Sequence, residues 1–195
     1  RIKDNPGFYN IINDNKNNKN EIILLYIYDN NAHTQDKDNN KTNAQHWWLR
    51  NAILDLEKNL AELGAKLIIK SGDPNNILDS LINDHNINTI YLNQGLDPNK
   101  RKQEEHLLNK KNIDIKIFSA NFLSDPEKMV KDDGKNYQVF TPYWRNLLKK
   151  NIVREPVKTP IINGVKFNKK ISSEKTEDLI ILKKWSDKFT RYWDP

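Results

Sequence analysis

The chain has 195 residues, a formal net charge of +6 and no cysteine, which excludes disulfides, thiolate metal sites and cysteine nucleophiles. Hydrophobic residues make up 36% and charged residues 30%, a polar composition that still allows one hydrophobic core. The longest apolar run, residues 22–28, is too short to cross a bilayer and follows no signal-peptide pattern, so we expect a soluble, cytoplasmic protein.

The first predicted elements are a turn and a helix over residues 1–15, followed by a strand over residues 21–29. The strand sequence, EIILLYIYD, is continuously apolar up to its final aspartate, which is typical of a strand buried on both faces of a parallel sheet. Such a strand needs neighbouring strands, and residues 1–15 read like the turn and helix that follow a strand. We therefore expect another strand to precede residue 1.

A long amphipathic helix is predicted after the polar stretch at residues 30–42. Its sequence, NAQHWWLRNAILDLEKNLAELG, spaces five apolar residues at alternating intervals of four and three, which places them on one helical stripe. Gly64 stands at the C-cap position. The stripe consists of Leu49, Ile53, Leu56, Leu60 and Leu63.

Strands and helices alternate along the next part of the chain. The further strands are predicted over residues 65–70, 87–93 and 113–119. The two helices between them begin with Asp-Pro, at Asp73 and Asp97, which suits an N-cap and a first helical position. This alternation predicts an α/β fold, a doubly wound, Rossmann-like parallel sheet with helices on both faces and with its first strand missing.

An aromatic segment, NYQVFTPYWRNLLKK, covers residues 136–150. It holds four aromatic residues within eight positions, which indicates either a local core or a docking surface. Thr141 as N-cap and Pro142 at the first helical position predict that a helix starts there. The aromatic residues are Tyr137, Phe140, Tyr143 and Trp144.

We place the end of the α/β domain at residue 150. Residues 151–195 contain prolines and show no sustained hydrophobic period, which indicates an extended linker. One short helix is possible within this linker, at residues 174–188.

Familiar phosphate-binding and metal-binding patterns are missing from the sequence. No G-x-G-x-x-G motif or P-loop occurs, and the four histidines lack metal-ligand spacing. The stretch SGDP at residues 71–74 could offer amides to an anion or could simply be a well-capped helix start. The positive charge likewise fits either a polyanionic partner or a lysine-rich surface. The residues alone indicate a platform for a small molecule or cofactor.

In a doubly wound sheet, ligands bind beyond the carboxyl ends of the strands. The sequence places Asp29, residues 93–100 and residues 119–121 at this edge. Trp47, in the first turn of the long helix, lies roughly opposite the apolar stripe, whereas Trp48 lies at the margin of the stripe. We therefore expect Trp48 in the core, and Trp47 covered by a loop, a ligand or another domain.

Several stretches, taken in order, resemble the DNA photolyase and cryptochrome family. RIKDNPGF resembles the family's Arg-Leu-x-Asp-Asn-Pro-Ala segment, and HWWLRNAILDLEKNLAELGAKLIIKSGDP resembles its Arg-Trp-Trp-Leu helix, strand and Gly-Asp-Pro turn. IYLNQGLDPNKRKQEE is similar to a Trp-Asn-x-x-x-x-Pro-x-x-x-x-Arg-Asp region. YQVFTPYWRNLLKK resembles the Tyr-x-Val-Phe-Thr-Pro-Phe-Trp-Lys signature, and YWDP the Trp-x-Pro that precedes the family's helical flavin domain.

The resemblance implies the N-terminal α/β domain of a deoxyribodipyrimidine photolyase, a light-driven DNA-repair flavoenzyme. In that family an antenna chromophore, a folate (methenyltetrahydrofolate) or a deazaflavin, passes excitation energy to FAD, which splits pyrimidine dimers. FAD and most of the DNA contacts belong to the helical domain, so we expect no catalytic residue here, no activity of this chain alone, and a monomer at full length. A cryptochrome photoreceptor and a free-standing nucleotide-binding module are the alternatives.

The resemblance also implies which residues contact the antenna. An Asn-Glu pair of folate-binding members aligns with Asn99 and Lys100, so the asparagine matches and the glutamate does not. The full set of predicted cofactor-binding residues is Asp29, Trp47, Asn93, Gln94, Asn99 and Lys100.

Overall fold

The computed structural model describes residues 1–16, 20–29, 44–95, 97–110, 112–125, 128–150, 153–182, 184 and 186–193. It divides the chain into two compact units, each described by itself below. The first consists of Arg1–Ile2, Asp14–Asn88 and Ile161–Pro195, and the second of Lys3–Asn13 and Thr89–Pro160.

Helices and strands alternate through most of the described chain. The helices are α1 (Pro6–Asn15), α2 (Ala44–Glu62), α3 (Pro74–His85), α4 (Pro98–Leu108), α5 (Phe140–Lys150), α6 (Thr176–Leu179) and α7 (Ser186–Phe189). The strands are β1 (Glu21–Ile22), β2 (Leu24–Tyr28), β3 (Leu67–Ser71), β4 (Thr89–Asn93), β5 (Asp114–Phe118) and β6 (Lys166–Phe167).

The first unit is built on the parallel pair β2–β3, in which Leu24 lies opposite Leu67 and Tyr28 opposite Ser71. The short strands β1 and β6 form a second parallel pair. One buried cluster of this unit is aliphatic, as is expected where a helix covers a parallel pair. It consists of Ile68, Leu81 and Ile171, with Ile23, Leu25, Ile77 and Ile87 packed against them.

The segment over residues 168–174 runs beside β3 and forms hydrogen bonds with that strand. The Ile69 amide donates to Ser173 Oγ (2.9 Å), and the Glu174 amide donates to the Ile69 carbonyl (3.0 Å). Lys66 Nζ donates to the Ile171 carbonyl (2.9 Å). Because the backbone groups of an edge strand invite pairing with other chains, this cover protects β3.

The second unit is built on the parallel pair β4–β5, in which Thr89 lies opposite Asp114 and Asn93 opposite Phe118. On one face the ring of Tyr91 stacks with Phe118 at a centroid distance of 6.2 Å, and Lys116 Nζ lies 4.8 Å from the Tyr91 centroid. The buried side chains of the unit include Phe8, Ile12, Leu107, Ala120, Met129 and Leu147.

The predicted α/β class with parallel strands is confirmed, and each predicted strand lies within two residues of an observed one. Helix α5 begins at Phe140, so the predicted N-cap at Thr141 is wrong and Thr141 is the second residue of the helix. Pro142 then lies in the first turn, where the backbone amides need no helical partner. Among the described residues β2–β3 and β4–β5 are separate pairs, and the strand expected before residue 1 stays a prediction.

The domain boundary at residue 150 also stays a prediction. Residues 153–165 contain neither helix nor strand, as expected of an extended segment. Beyond them, Ile171 and Ile180 are buried within the first unit. The predicted helix at residues 174–188 is present as two short pieces, α6 and α7.

Candidate functional site

The six predicted cofactor-binding residues are divided between the two units. Asp29 follows β2 directly and Trp47 lies in the first turn of α2, both in the first unit. The second unit holds Asn93 at the end of β4, Gln94 after it, and Asn99 and Lys100 in the first turn of α4. The side chain of Asn99 lies outside the described part of the chain.

Trp47 is buried, with only 3% of its surface exposed, whereas Trp48 is 54% exposed. The prediction that Trp48 belongs to the core is therefore wrong. The indole of Trp47 packs against Phe189 and Trp48, at centroid distances of 5.6 and 6.0 Å. Among the described residues, part of the cover expected for Trp47 comes from the C-terminal part of the chain.

A second stripe on α2 explains this burial. Arg50 Nη1 donates to the Ile180 carbonyl (3.4 Å), and Glu57 Oε2 accepts a hydrogen bond from Thr176 Oγ1 (2.9 Å). Trp47, Arg50 and Glu57 are spaced by three and seven residues, so they share a helix face distinct from the leucine stripe. Because this face mixes an aromatic residue with charged ones, an apolar periodicity search passes over it.

The side chain of Asn93 fastens the end of β4 to the start of α1. Its Oδ1 accepts a hydrogen bond from the Gly7 amide (3.0 Å), and its Nδ2 donates to Asn5 Oδ1 (2.8 Å). A Cβ atom on Gly7 would lie 3.0 Å from Asn93 Oδ1, so this contact needs glycine or a displacement of the amide. Asn93 therefore holds the backbone of the sheet edge in place.

Gln94, Gly95 and Lys100 form the part of the predicted site that the fold does bring together. The Gln94 amide donates to the Phe118 carbonyl (2.8 Å), which joins the ends of β4 and β5. The Gly95 amide donates to Glu104 Oε1 (2.6 Å). A Cβ atom on Gly95 would lie 2.7 Å from Lys100 Cβ, so the chain passes close to the first turn of α4. Lys100 is exposed and Gln94 half-buried, which leaves a cation and an amide at this edge.

An ion pair that sequence reasoning missed lies in the same unit. Arg154 Nη1 and Nη2 donate to the two carboxylate oxygens of Asp4, at 2.5 and 2.9 Å, and Nη2 also donates to the Ala120 carbonyl (3.0 Å). The Val157 amide donates to Asp4 Oδ1 (3.1 Å). The hydrogen bond with Asp4 raises the pKa of Arg154. No local pattern links residues so far apart in the sequence, so only the fold reveals the pair.

The stretch SGDP is a capped helix start that also receives an anion from the chain itself. Asp73 Oδ1 accepts a hydrogen bond from the Asn76 amide (3.0 Å), as an N-cap does. The carboxylate of Glu174 accepts hydrogen bonds from the Ser71 amide and from Ser71 Oγ, both at 2.7 Å. The turn after β3 is thus occupied by a side chain of the 168–174 segment.

A surface groove of the first unit is lined by none of the six predicted cofactor-binding residues. It has a volume of about 660 Å³ and lies between α3 and the 168–174 segment, with Ile77, Leu81 and Lys70 among its lining residues. Within the described ranges, no group of three or more histidine, aspartate or glutamate side chains could hold a metal ion. The helices described here are all too short or too polar to cross a membrane.

Comparison with known proteins relates the chain to a protein family. A sequence profile of the DNA photolyase family matches residues 1–161. The deoxyribodipyrimidine photo-lyase of Agrobacterium fabrum is 30% identical over 159 residues, which cover 78% of this chain and 33% of the relative. This chain therefore spans about a third of the length of that curated relative.

Solved structures agree with the sequence match. The crystal structure of a bacterial class III photolyase from Agrobacterium tumefaciens has a TM-score of 0.81 and 25% identity, over 100% of this chain and 39% of its own. An archaeal photolyase from Sulfolobus tokodaii, described with two FAD molecules and a novel light-harvesting cofactor, has a TM-score of 0.68 at 20% identity, over 92% of this chain and 38% of its own. The second likeness concerns the fold alone. Because the family profile covers most of the chain, the chain belongs to the DNA photolyase family.

Proposed function

We propose that this chain is the antenna-binding α/β part of a light-driven deoxyribodipyrimidine photolyase. The observation that carries the proposal is the 30% identity with a protein of that name over 78% of the chain. Since the chain spans about a third of that relative, FAD and the damaged DNA are proposed to bind elsewhere in a longer protein. We assign no catalytic residue to the described chain.

The donor set at the end of β4 fits a chromophore with an anionic or amide-rich part. Lys100 supplies an exposed cation, and Gln94 supplies a half-buried amide on the stretch that leads to the same helix. Asn99 completes the first turn of α4 on the same stretch. When bound, such a chromophore supplies light absorption and transfer of excitation energy to FAD, which is cofactor chemistry that the protein only positions.

The remaining predicted residues have different parts in the proposal. Asn93 acts as a positioning residue, because its side-chain amide links the end of β4 to the start of α1. Asp29 and Trp47 belong to the first unit. We propose them as chromophore contacts within that unit. Trp47 is only 3% exposed, so a chromophore contact there requires a change in the packing around it, which makes Lys100 and Gln94 the stronger candidates.

The proposed function is tested in a full-length photolyase that carries this domain. Purified protein is illuminated with an oligonucleotide containing a thymine dimer, and loss of the dimer is followed with and without light. Light-dependent loss is expected, and its absence in a flavin-loaded protein would argue for a photoreceptor instead.

The antenna assignment needs a separate measurement. Lys100→Ala is compared with Lys102→Ala, an exposed lysine on the same helix, through the ratio of antenna to flavin absorbance. We expect Lys100→Ala alone to lower this ratio. Equal ratios for the two variants and the unaltered protein would remove Lys100 from the site.

A further inference from the structure

The only asparagine–glycine pair in the sequence lies at residues 163–164. The pair forms a turn shortly before β6, in a stretch without helix or strand. Gly164 has a φ of 80°, in the left-handed region that a residue with a side chain rarely adopts. The conformation of the turn thus explains the glycine, and the asparagine before it adds a chemical property.

An asparagine followed by glycine can lose its side-chain amide in water without an enzyme. The backbone nitrogen of the glycine loses its proton and attacks the asparagine Cγ, so that a carbon–nitrogen bond forms and the side-chain nitrogen leaves as ammonia. Water then opens the five-membered imide to isoaspartate or aspartate. The sum is one water consumed and one ammonia released, with no oxidant or reductant. Glycine favours the attack because no Cβ atom hinders its nitrogen.

The Gly164 amide is available for this attack. Among the described residues, no oxygen accepts a hydrogen bond from this amide, and the Asn163 side chain has no hydrogen-bond partner. A Cβ atom on Gly164 would approach the Lys16 carbonyl oxygen at 3.5 Å, so the turn is not tightly packed. The imide can therefore close without breaking a hydrogen bond.

A second turn with a comparable sequence, Asp133–Gly134, is held differently. Gly134 has a similar φ of 78°. Its amide, however, donates to the Lys131 carbonyl (2.9 Å), and Asp133 Oδ1 accepts a hydrogen bond from the Lys135 amide (3.0 Å). Attack at Asp133 would break both hydrogen bonds, and a carboxylate is a poorer electrophile than an amide. The reaction is therefore directed to Asn163.

We propose that Asn163 is a site of spontaneous deamidation, and that the isoaspartate formed there loosens the attachment of β6. The proposal rests on the backbone of one turn and goes beyond the proposed function. It needs neither flavin, antenna nor light, so its failure would leave the photolyase assignment unaffected.

The attachment of β6 depends on a few contacts that follow the turn. Strand β6 pairs in parallel with β1, with Lys166 opposite Glu21. The Asn168 amide donates to the Ile22 carbonyl (2.9 Å), and Asn168 Nδ2 donates to Glu21 Oε2 (2.9 Å). Isoaspartate adds one carbon atom to the backbone and a negative charge to the turn. The extra backbone atom shifts the residues that follow it relative to β1, which weakens these hydrogen bonds.

The test is incubation of the 195-residue chain in mildly alkaline buffer, followed by tryptic digestion at mildly acidic pH and mass spectrometry. Cleavage after Lys158 and Lys166 releases TPIINGVK, in which Asn163 is the only asparagine. Methylation by a protein isoaspartyl methyltransferase distinguishes isoaspartate from aspartate. We expect Asn163 in the folded chain to react within about tenfold of its rate in synthetic TPIINGVK, because a turn without amide hydrogen bonds opens at little cost.

Two variants and an internal control accompany this measurement. Asn163→Gln should abolish the reaction, because its longer side chain would have to close a six-membered imide, and it keeps the glycine that the turn requires. Gly164→Ala should slow the reaction about tenfold or more, since its methyl group hinders the nitrogen. Isoaspartate should form at Asp133 at least about tenfold more slowly than at Asn163, because its turn must first break two hydrogen bonds. Urea unfolding of each variant checks that the fold is intact.

The effect on β6 is measured by hydrogen exchange of the Asn168 amide. Exchange should be faster in the isoaspartyl chain than in Asn163→Asp, which adds the charge without lengthening the backbone. Equal exchange in these two forms would overturn the proposed loosening of β6. The site itself would be refuted if Asn163 in the folded chain reacted more than about tenfold more slowly than in the free peptide, or if isoaspartate formed at Asp133 as fast as at Asn163.

Discussion

The indole of Trp47 lies 5.6 Å from the ring of Phe189, measured between centroids, with the two planes inclined by 46°. This contact joins the first turn of α2 to α7, within one compact unit. Together with the hydrogen bond between Thr176 and Glu57, it attaches the C-terminal part of the chain to a helix face that the leucine stripe does not use. Trp47 therefore acts first as a packing residue.

We predict that Trp47→Ala lowers the free energy of unfolding by ~3–5 kcal/mol, as is usual when a buried aromatic side chain is removed. Trp48→Ala should change it by only about 0.5 kcal/mol, because that side chain is mostly exposed. Urea denaturation of both variants gives the two values under the same conditions. Equal losses for Trp47→Ala and Trp48→Ala would contradict the assignment of Trp47 to the core.

The strands and long helices were predictable because their signals are local. The apolar run before Asp29, the stripe of α2 and the Asp-Pro starts of α3 and α4 each report on a few neighbouring residues. The partner of Trp47 could not be found in this way, because Phe189 lies at the other end of the chain. The same reason hides the pairing of Asp4 with Arg154 and of Ser71 with Glu174.

The site, unlike the fold, stays a prediction. Its proposed place, at the carboxyl end of β4, follows from the topology of doubly wound sheets. No sequence pattern reports which of these side chains bond within the protein and which are exposed to solvent. Asn93 is engaged with α1, whereas Lys100 is exposed.

The pair formed by Asp4 and Arg154 gives a second prediction. Arg154→Lys should lower the free energy of unfolding by ~1.5–3 kcal/mol, since a lysine cannot reproduce a two-pronged contact with a carboxylate. Asp4→Asn should be comparable, because asparagine tolerates the left-handed backbone of this position (φ 48°) but loses the charge. Thermal or urea unfolding of both single variants and the double variant measures the coupling. Strictly additive losses would show that the two side chains do not stabilise each other.

A third prediction concerns alkaline pH. Burial, and to a smaller extent the neighbouring Tyr28, raises the pKa of Tyr26 above its usual value of 10.0. The folded state thus favours the neutral phenol, and the resulting stability is fully present below pH 10. It is lost as the pH rises through the higher pKa of the folded state, because the unfolded chain ionises first.

Tyr26→Phe should therefore flatten the decline in the free energy of unfolding above pH 10. Tyr192→Phe is the matched control, because Tyr192 is 83% exposed and should leave the decline unaltered. Guanidinium unfolding at pH 8 to 11 gives both curves. Parallel declines for Tyr26→Phe and the unaltered chain would exclude a contribution from this phenol.

The last prediction concerns Glu174, whose carboxylate accepts hydrogen bonds from both the amide and the hydroxyl of Ser71 at 2.7 Å. Glu174→Ala removes both acceptors and leaves the Ser71 amide without its partner, at a cost of ~1.5–3 kcal/mol. Glu174→Gln should cost less, since its amide oxygen can accept from the Ser71 amide while its NH₂ group donates to the Ser71 hydroxyl. The site-specific measurement is hydrogen exchange of the Ser71 amide, which should accelerate most in Glu174→Ala. Glu177→Ala removes an exposed carboxylate a few residues away and serves as the control. If exchange at Ser71 is equally fast in Glu174→Ala and Glu177→Ala, the 168–174 segment is held on β3 by its other contacts and not by this carboxylate.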